Sequence, residues 1–130
     1  MSKYHSKKMV VFGITFDSRK EGRRYLELLD LEALGVITDL KRQVTFELVP
    51  NQYEDVPTGE VYKQGAKTGQ PKIKRRVAEY AIKYIADFVY TDERGNMVVE
   101  DVKSPATRTE AYILKRKLML YIHGIKVQEV

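Results

Sequence analysis

The chain has 130 residues, 43% of them hydrophobic and 32% charged, which is the size and balance of one ordinary domain, 1–130, around a modest core. It has no cysteine, which excludes disulfides and thiolate zinc sites. Its apolar stretches are too short and broken for a signal peptide or a membrane span, so a cytoplasmic protein without a membrane partner is expected. A formal net charge of +5 permits a polyanionic partner.

Residues 1–16, MSKYHSKKMVVFGITF, read as a basic lead-in, with 1–10 as a tail. In FDSRKEGRRYLELLDLEALG, Ser18 stands as an N-cap with Glu21 three residues on, the spacing of a capping box. Leu26, Leu29 and Ala33 share a helical face with Gly22, Tyr25 and Leu28 widen it, and Gly35 suits the stop. QVTFELV, residues 43–49, alternates as a strand and Pro50 ends it. Residues 50–71, rich in proline and glycine, read as a long loop. Its GAKTG lacks the spacing of a phosphate-binding loop.

AEYAIKYIADFVYTD and GNMVVEDVKS read as two strands around ERG. In TRTEAYILKRKLMLYIHG, Thr107 and Glu110 repeat the capping-box pattern. Ala111, Leu114, Leu118 and Tyr121 make an apolar stripe, Gly124 is the stop, and IKVQEV closes as a strand. The order helix, three strands, helix, strand implies an α/β fold of the α+β kind, a mixed sheet with helices packed on it.

Basic residues gather in two groups. Lys63, Lys67, Lys72, Lys74, Arg75, Arg76 and Lys83 form one, and Arg108, Lys115, Arg116 and Lys117 the other. Two such groups flanking an acidic strand favour a polyanionic partner over a merely solvated surface.

That strand, VVEDVKS, holds Glu100, Asp101 and Lys103 among three valines. If ERG is a three-residue hairpin loop with Gly95 left-handed, Asp92 faces Asn96 and Asp87 faces Asp101, with Lys103 on the same side. Facing carboxylates repel. They either share a proton or hold a divalent cation, and oxygen donors beside a lysine point to Mg²⁺ or Mn²⁺. Such an ion with a lysine can polarise a phosphodiester, activate water and stabilise the leaving oxygen. The plainer alternative is an exposed Asp101–Lys103 pair with Asp87 a chance neighbour. Glu100 faces the other way, toward a lysine or arginine of a helix, unless a bulge exchanges it with Asp101. Gln43 opens the first strand, either near this site or at the sheet edge. His5 and His123 suggest no histidine nuclease.

IADFVY followed by VEDVKS resembles the signature of the PD-(D/E)xK nuclease superfamily, with Ala86 in place of the usual proline. Together with FDSRKEGRRYLELL, RQVTFEL and YILKRKLMLYIHGI, these segments resemble a family of small phage proteins of unknown function regarded as probable endonucleases. The core motif is also similar to that of phage Holliday-junction endonucleases of the endonuclease I kind. The resemblance implies a restriction-endonuclease-like core, with Asp87 and Asp101 as metal ligands and Lys103 as the catalytic lysine. It adds the Val102 carbonyl and Glu21 to the metal site. DNA contacts are expected from Lys115 and Lys117 on the helix flanking the site, and from Lys74, Arg75 and Arg76. The implied activity is that of a phage-encoded Mg²⁺- or Mn²⁺-dependent DNA endonuclease. It would act on branched, recombining DNA, as a homodimer if it cuts two symmetric strands. The alternatives are a nicking or end-processing nuclease and a catalytically inert DNA-binding accessory protein.

Overall fold

The computed structural model describes residues 7–130; the first part of the basic tail, including His5, lies outside the described residues. The chain forms two compact units, one made of the chain through Phe46 and from Tyr84 onward, the other of Glu47–Lys83.

The first unit opens with a hairpin, β1 (Met9–Val11) and β2 (Ile14–Phe16), where only a lead-in and tail were expected. Val11 pairs with Ile14 across a two-residue turn in which Phe12 and Gly13 both have positive φ, 49° and 79°. Phenylalanine is a poor residue for that turn, so the usual Asn-Gly signal is missing from the sequence. Helix α1 (Arg19–Ala33) follows, capped by Ser18, whose Oγ accepts the Glu21 N–H at 3.1 Å. Gly22 is the contact point with the hairpin: a Cβ there would lie 2.7 Å from the sulfur of Met9. Gly35, left-handed at φ 76°, ends the helix as expected.

A four-stranded sheet follows in the order β3-β6-β7-β8, built from β3 (Thr38–Val49), β6 (Ile82–Thr91), β7 (Met97–Asp101) and β8 (Gln128–Glu129). With α1 and helix α2 (Glu110–His123), the first unit contains the expected order of helix, three strands, helix, strand. The β6–β7 hairpin has the expected register. Phe88 pairs with Glu100 and Thr91 with Met97, and the loop closes by a 2.8 Å bond from Asp92 N–H to the Asn96 carbonyl. Gly95 sits at φ 83°, and the Asp92 carboxylate accepts the N–H groups of Arg94 and Asn96. β8 runs parallel to β7, and Val130 extends the pairing to the backbone of Asp101 and Lys103.

One core lies under α1: Val11, Phe16, Leu28, Ile37, Phe88 and Tyr90 are buried, with Tyr25, Val98 and Val102 packed against them. The buried stripe of α1 therefore centres on Gly22, Tyr25 and Leu28, whereas Leu26 is at the exposed edge. Val89 and Val99 alternate to the opposite face and are also buried, so both faces of the hairpin are covered. Helix α2 departs from expectation. Its cap is Thr109, two residues later than the capping-box pattern placed it, because Thr107 closes a turn with Ser104. Its buried residues are Tyr112 and Met119, while Leu114 and Tyr121 of the expected stripe are exposed. Gly124 ends the helix at φ 67°.

The second unit replaces the expected loop. Strands β4 (Gln52–Val61) and β5 (Pro71–Glu79) form an antiparallel ribbon that contains no buried residue along either strand. Pro57 and Gly59 suggested a loop, but a two-stranded ribbon has only edges, where proline and irregular register are tolerated. Residues 62–70, including GAKTG, form its tip.

Glu100 is the polar group the first core depends on. It is 1% exposed, and Arg24 of α1 grips it with both ends of its guanidinium at 2.8 and 2.6 Å. The Tyr90 hydroxyl donates a third, short bond. The strand has no bulge at this point, so Glu100 and Asp101 are not exchanged. Removing one partner of a buried pair strands the other charge. Arg24→Ala is expected to cost about 3 kcal/mol in equilibrium urea unfolding, with Glu100→Gln losing less because the amide still bonds.

Candidate active site

Asp101 ends β7, on the face opposite Glu100, and is 4% exposed. Lys103 Nζ lies 3.0 Å from its Oδ1, and the Tyr84 hydroxyl donates to its Oδ2 at 2.5 Å. Burial and this bond push the Tyr84 hydroxyl well above the usual phenol range, so it stays a donor. The Lys103 side-chain nitrogen rests over the Tyr112 ring, 4.1 Å from its centre, which orients it.

Continuing the hairpin register by one pair sets Asp87 opposite Asp101. Asp87 Oδ2 accepts the Val102 N–H at 2.8 Å, which brings the backbone of Val102 to the site. Burial, and then the charge of Asp101, push the Asp87 carboxyl up to about 7, against the pull of the Val102 N–H. Glu21, 8% exposed, turns its carboxylate to the same place; burial and then Asp17 raise it, and Arg42 opposes them. Its backbone serves the helix cap while its side chain serves the site.

Gln43 joins the two acids. Its amide nitrogen is 3.4 Å from both Glu21 Oε1 and Asp87 Oδ1. It lies in the middle of β3, not at its start, and has φ of 52°. A residue with a side chain adopts that conformation rarely and at a cost of about 1 kcal/mol. The kink is a built feature that coincides with the site.

The structure thus brings together Glu21, Gln43, Asp87, Asp101, Val102 and Lys103. It adds Tyr84, Tyr112 and Lys20, whose Nζ donates to the Lys103 carbonyl at 2.6 Å. Sequence reasoning missed these three because their roles depend on side-chain reach across the fold, for which spacing carries no signal. Of the expected DNA contacts, Lys115 is half-buried on α2, one turn from Tyr112, and Lys117 is exposed two residues on. Lys74, Arg75 and Arg76 belong to the ribbon of the other unit. There Arg75 lies over the Tyr53 ring at 3.8 Å and Arg76 is paired with Glu54 at 2.7 Å.

The donor set fits a hard divalent cation. Asp87 and Asp101 repel each other in a half-dry setting, which a divalent cation would relieve, and the Gln43 amide lies between Asp87 and Glu21. Among the described residues, no three acidic, cysteine or histidine side chains are gathered closely enough to hold an ion, and Asp87, Asp101 and Glu21 are the carboxylates that would have to hold one.

The raised Asp87 carboxyl has a consequence for stability. The folded chain keeps a proton up to about pH 7 that the unfolded chain releases near the ordinary 3.8, so this group's contribution to stability falls as pH rises through that window. In metal-free buffer the melting temperature of the parent should drop more between pH 5 and pH 8 than that of Asp87→Asn. Adding Mn²⁺ at pH 8 should raise the parent's melting temperature and leave that of the variant nearly unchanged, as read by calorimetry.

A family model described as "Protein of unknown function (DUF1064)" matches residues 1–128. No curated protein and no solved structure is similar enough to match.

Proposed function

The chain belongs to the DUF1064 family, and we propose that it is a metal-dependent endodeoxyribonuclease of the PD-(D/E)xK kind. The observation that carries this reading is the hairpin register that sets Asp87 beside Asp101, with Lys103 Nζ 3.0 Å from the latter. Two carboxylates and a lysine gathered at the two inner strands of the sheet are suited to metal-assisted phosphodiester hydrolysis. Asp87 and Asp101, joined by Glu21, would hold Mg²⁺ or Mn²⁺. When bound, such an ion supplies a Lewis acid for the phosphate and lowers the pKa of its water.

The chain's own groups do the remaining work. Tyr84 holds Asp101 in place through its hydroxyl. The Val102 N–H fixes Asp87, leaving Oδ1 toward Gln43. Lys103, steadied by the Tyr112 ring, sets positive charge where the pentavalent phosphorane gains negative charge. Gln43, released from the acids, can orient water. Branched DNA and a homodimer remain the first expectations for substrate and assembly, in keeping with a phage resolvase. No helix among the described residues is long and apolar enough to cross a membrane.

A second reading is favoured by one observation: both oxygens of Asp101 are already engaged, by Lys103 and Tyr84. A DNA-binding protein with an inert pocket could have that arrangement. Cleavage of junction, duplex and single-stranded DNA with Mg²⁺ or Mn²⁺, against a metal-free control, decides between them. The nuclease should cut, with Lys103→Met and Asp87→Asn each slower by about 100-fold or more. Absence of cutting with both metals establishes the inert reading, and equal rates on all three substrates remove the resolvase version.

A further inference from the structure

Beside Lys103 the surface of the first unit opens into two recesses that share Arg108 and Glu129. The nearer, of about 530 Å³, is lined by Lys20, Lys103 and Pro105. The farther, of about 400 Å³, lies between α2 and the chain leading into β8, where Arg116, Lys117 and Lys126 surround an apolar floor of Leu120 and Val127. Six cationic side chains line the two recesses against the single carboxylate of Glu129. That carboxylate is already held by Arg116 at 2.8 Å, Arg108 at 3.2 Å and the Tyr112 hydroxyl at 3.2 Å. Lys103 is paired with Asp101, which leaves Lys20, Lys117 and Lys126 as the lining cations without a carboxylate partner among the described residues.

Cations lining two adjoining recesses beside the site suit the phosphates of a strand that passes through it. The farther recess adds something a phosphate track does not need: the apolar side chains of Leu120 and Val127 among its cations, with room for a whole nucleotide. A base inside a duplex cannot reach into such a recess, whereas an unpaired one can leave the stack and enter it. Resting on the nuclease reading above, we infer that the recess of Arg108, Lys117, Leu120 and Lys126 receives an unpaired nucleotide of the cut strand. The substrate is then DNA with an unpaired base beside the scissile phosphodiester, as at a gap, flap or branch point. Leu120 and Val127 contact the base, and Arg108 and Lys126 hold the phosphates on either side of it.

Binding without cutting tests this. The full chain in EDTA is titrated, by fluorescence anisotropy, into a fluorescein-labelled DNA duplex and into the same duplex interrupted by a short single-stranded gap. The gapped DNA should bind about tenfold tighter. Leu120→Glu, at a position 54% exposed and so tolerant of charge, should abolish that preference while the duplex still binds. The double variant Arg108→Gln, Lys126→Gln should weaken gapped-DNA binding and reduce the slope of log affinity against log salt by about 1.5. Equal binding of gapped and intact duplex by the parent overturns the inference, as does either variant binding gapped DNA like the parent. Cleavage with Mn²⁺ separates this from the nuclease reading. Gap preference without cutting removes the nuclease and leaves the recess, and cutting without gap preference removes the recess and leaves the nuclease.

Discussion

A three-residue turn, Glu93 to Gly95, sets the register of the β6–β7 hairpin, and nearly everything of interest in the first unit follows from it. Side chains alternate along a strand, so two acids in succession must go to opposite faces. Glu100 enters the core under α1 and Asp101 enters the site. A slip by one residue would bury the wrong acid on each face. The slip is blocked at the turn by Gly95 in its left-handed conformation and by the Asp92 carboxylate, which accepts two N–H groups of the loop.

The two faces use the same device for different ends. Each buries a carboxylate and satisfies it with a tyrosine hydroxyl and a basic side chain: Tyr90 and Arg24 for Glu100, Tyr84 and Lys103 for Asp101. Arginine, with its two-pronged planar head, locks Glu100 and ties α1 to the sheet. Lysine, a single charge on a flexible stem, reaches one oxygen of Asp101 and is steadied there by the Tyr112 ring. The adjacent carboxyls of Asp87 and Glu21 are raised by burial and by neighbouring acids. Groups displaced from their ordinary titration and gathered in one place are a signature of function more often than of packing.

Strain points to the same place. Gln43 is a left-handed residue within a long strand, and its amide lies between two acids. At that kink the Gln43 amide reaches the two acids while the neighbouring Arg42 lies over the Phe16 ring of the core. The ribbon of the second unit has no core along its strands, and such ribbons are marginal alone. Its cations are in part committed to Tyr53 and Glu54, whereas beside Lys103 two arginines, Arg108 and Arg116, share the single carboxylate of Glu129.

The sequence by itself determined the elements whose signals are local. Ser18 and Gly35 bound the first helix, Gly124 ends the second, and the ERG turn placed Asp87 against Asp101 before any coordinates, because turn chemistry and two-residue alternation are short-range rules. The acids and Lys103 were legible for the same reason. The β1–β2 hairpin was not, since its turn is made by Phe12, which favours no such conformation. The ribbon was hidden by prolines and glycines that a sheet edge accepts. The stripe on α2 misled because an apolar face at helical spacing does not say whether the fold covers it, and here Leu114 and Tyr121 remain exposed. Only the tertiary structure decided that Arg24 meets Glu100, that Tyr84 and Tyr112 support the site, and that Gln43 links Glu21 to Asp87. Those contacts join residues far apart in the chain, and their existence depends on how helices and sheet pack rather than on any spacing along the sequence.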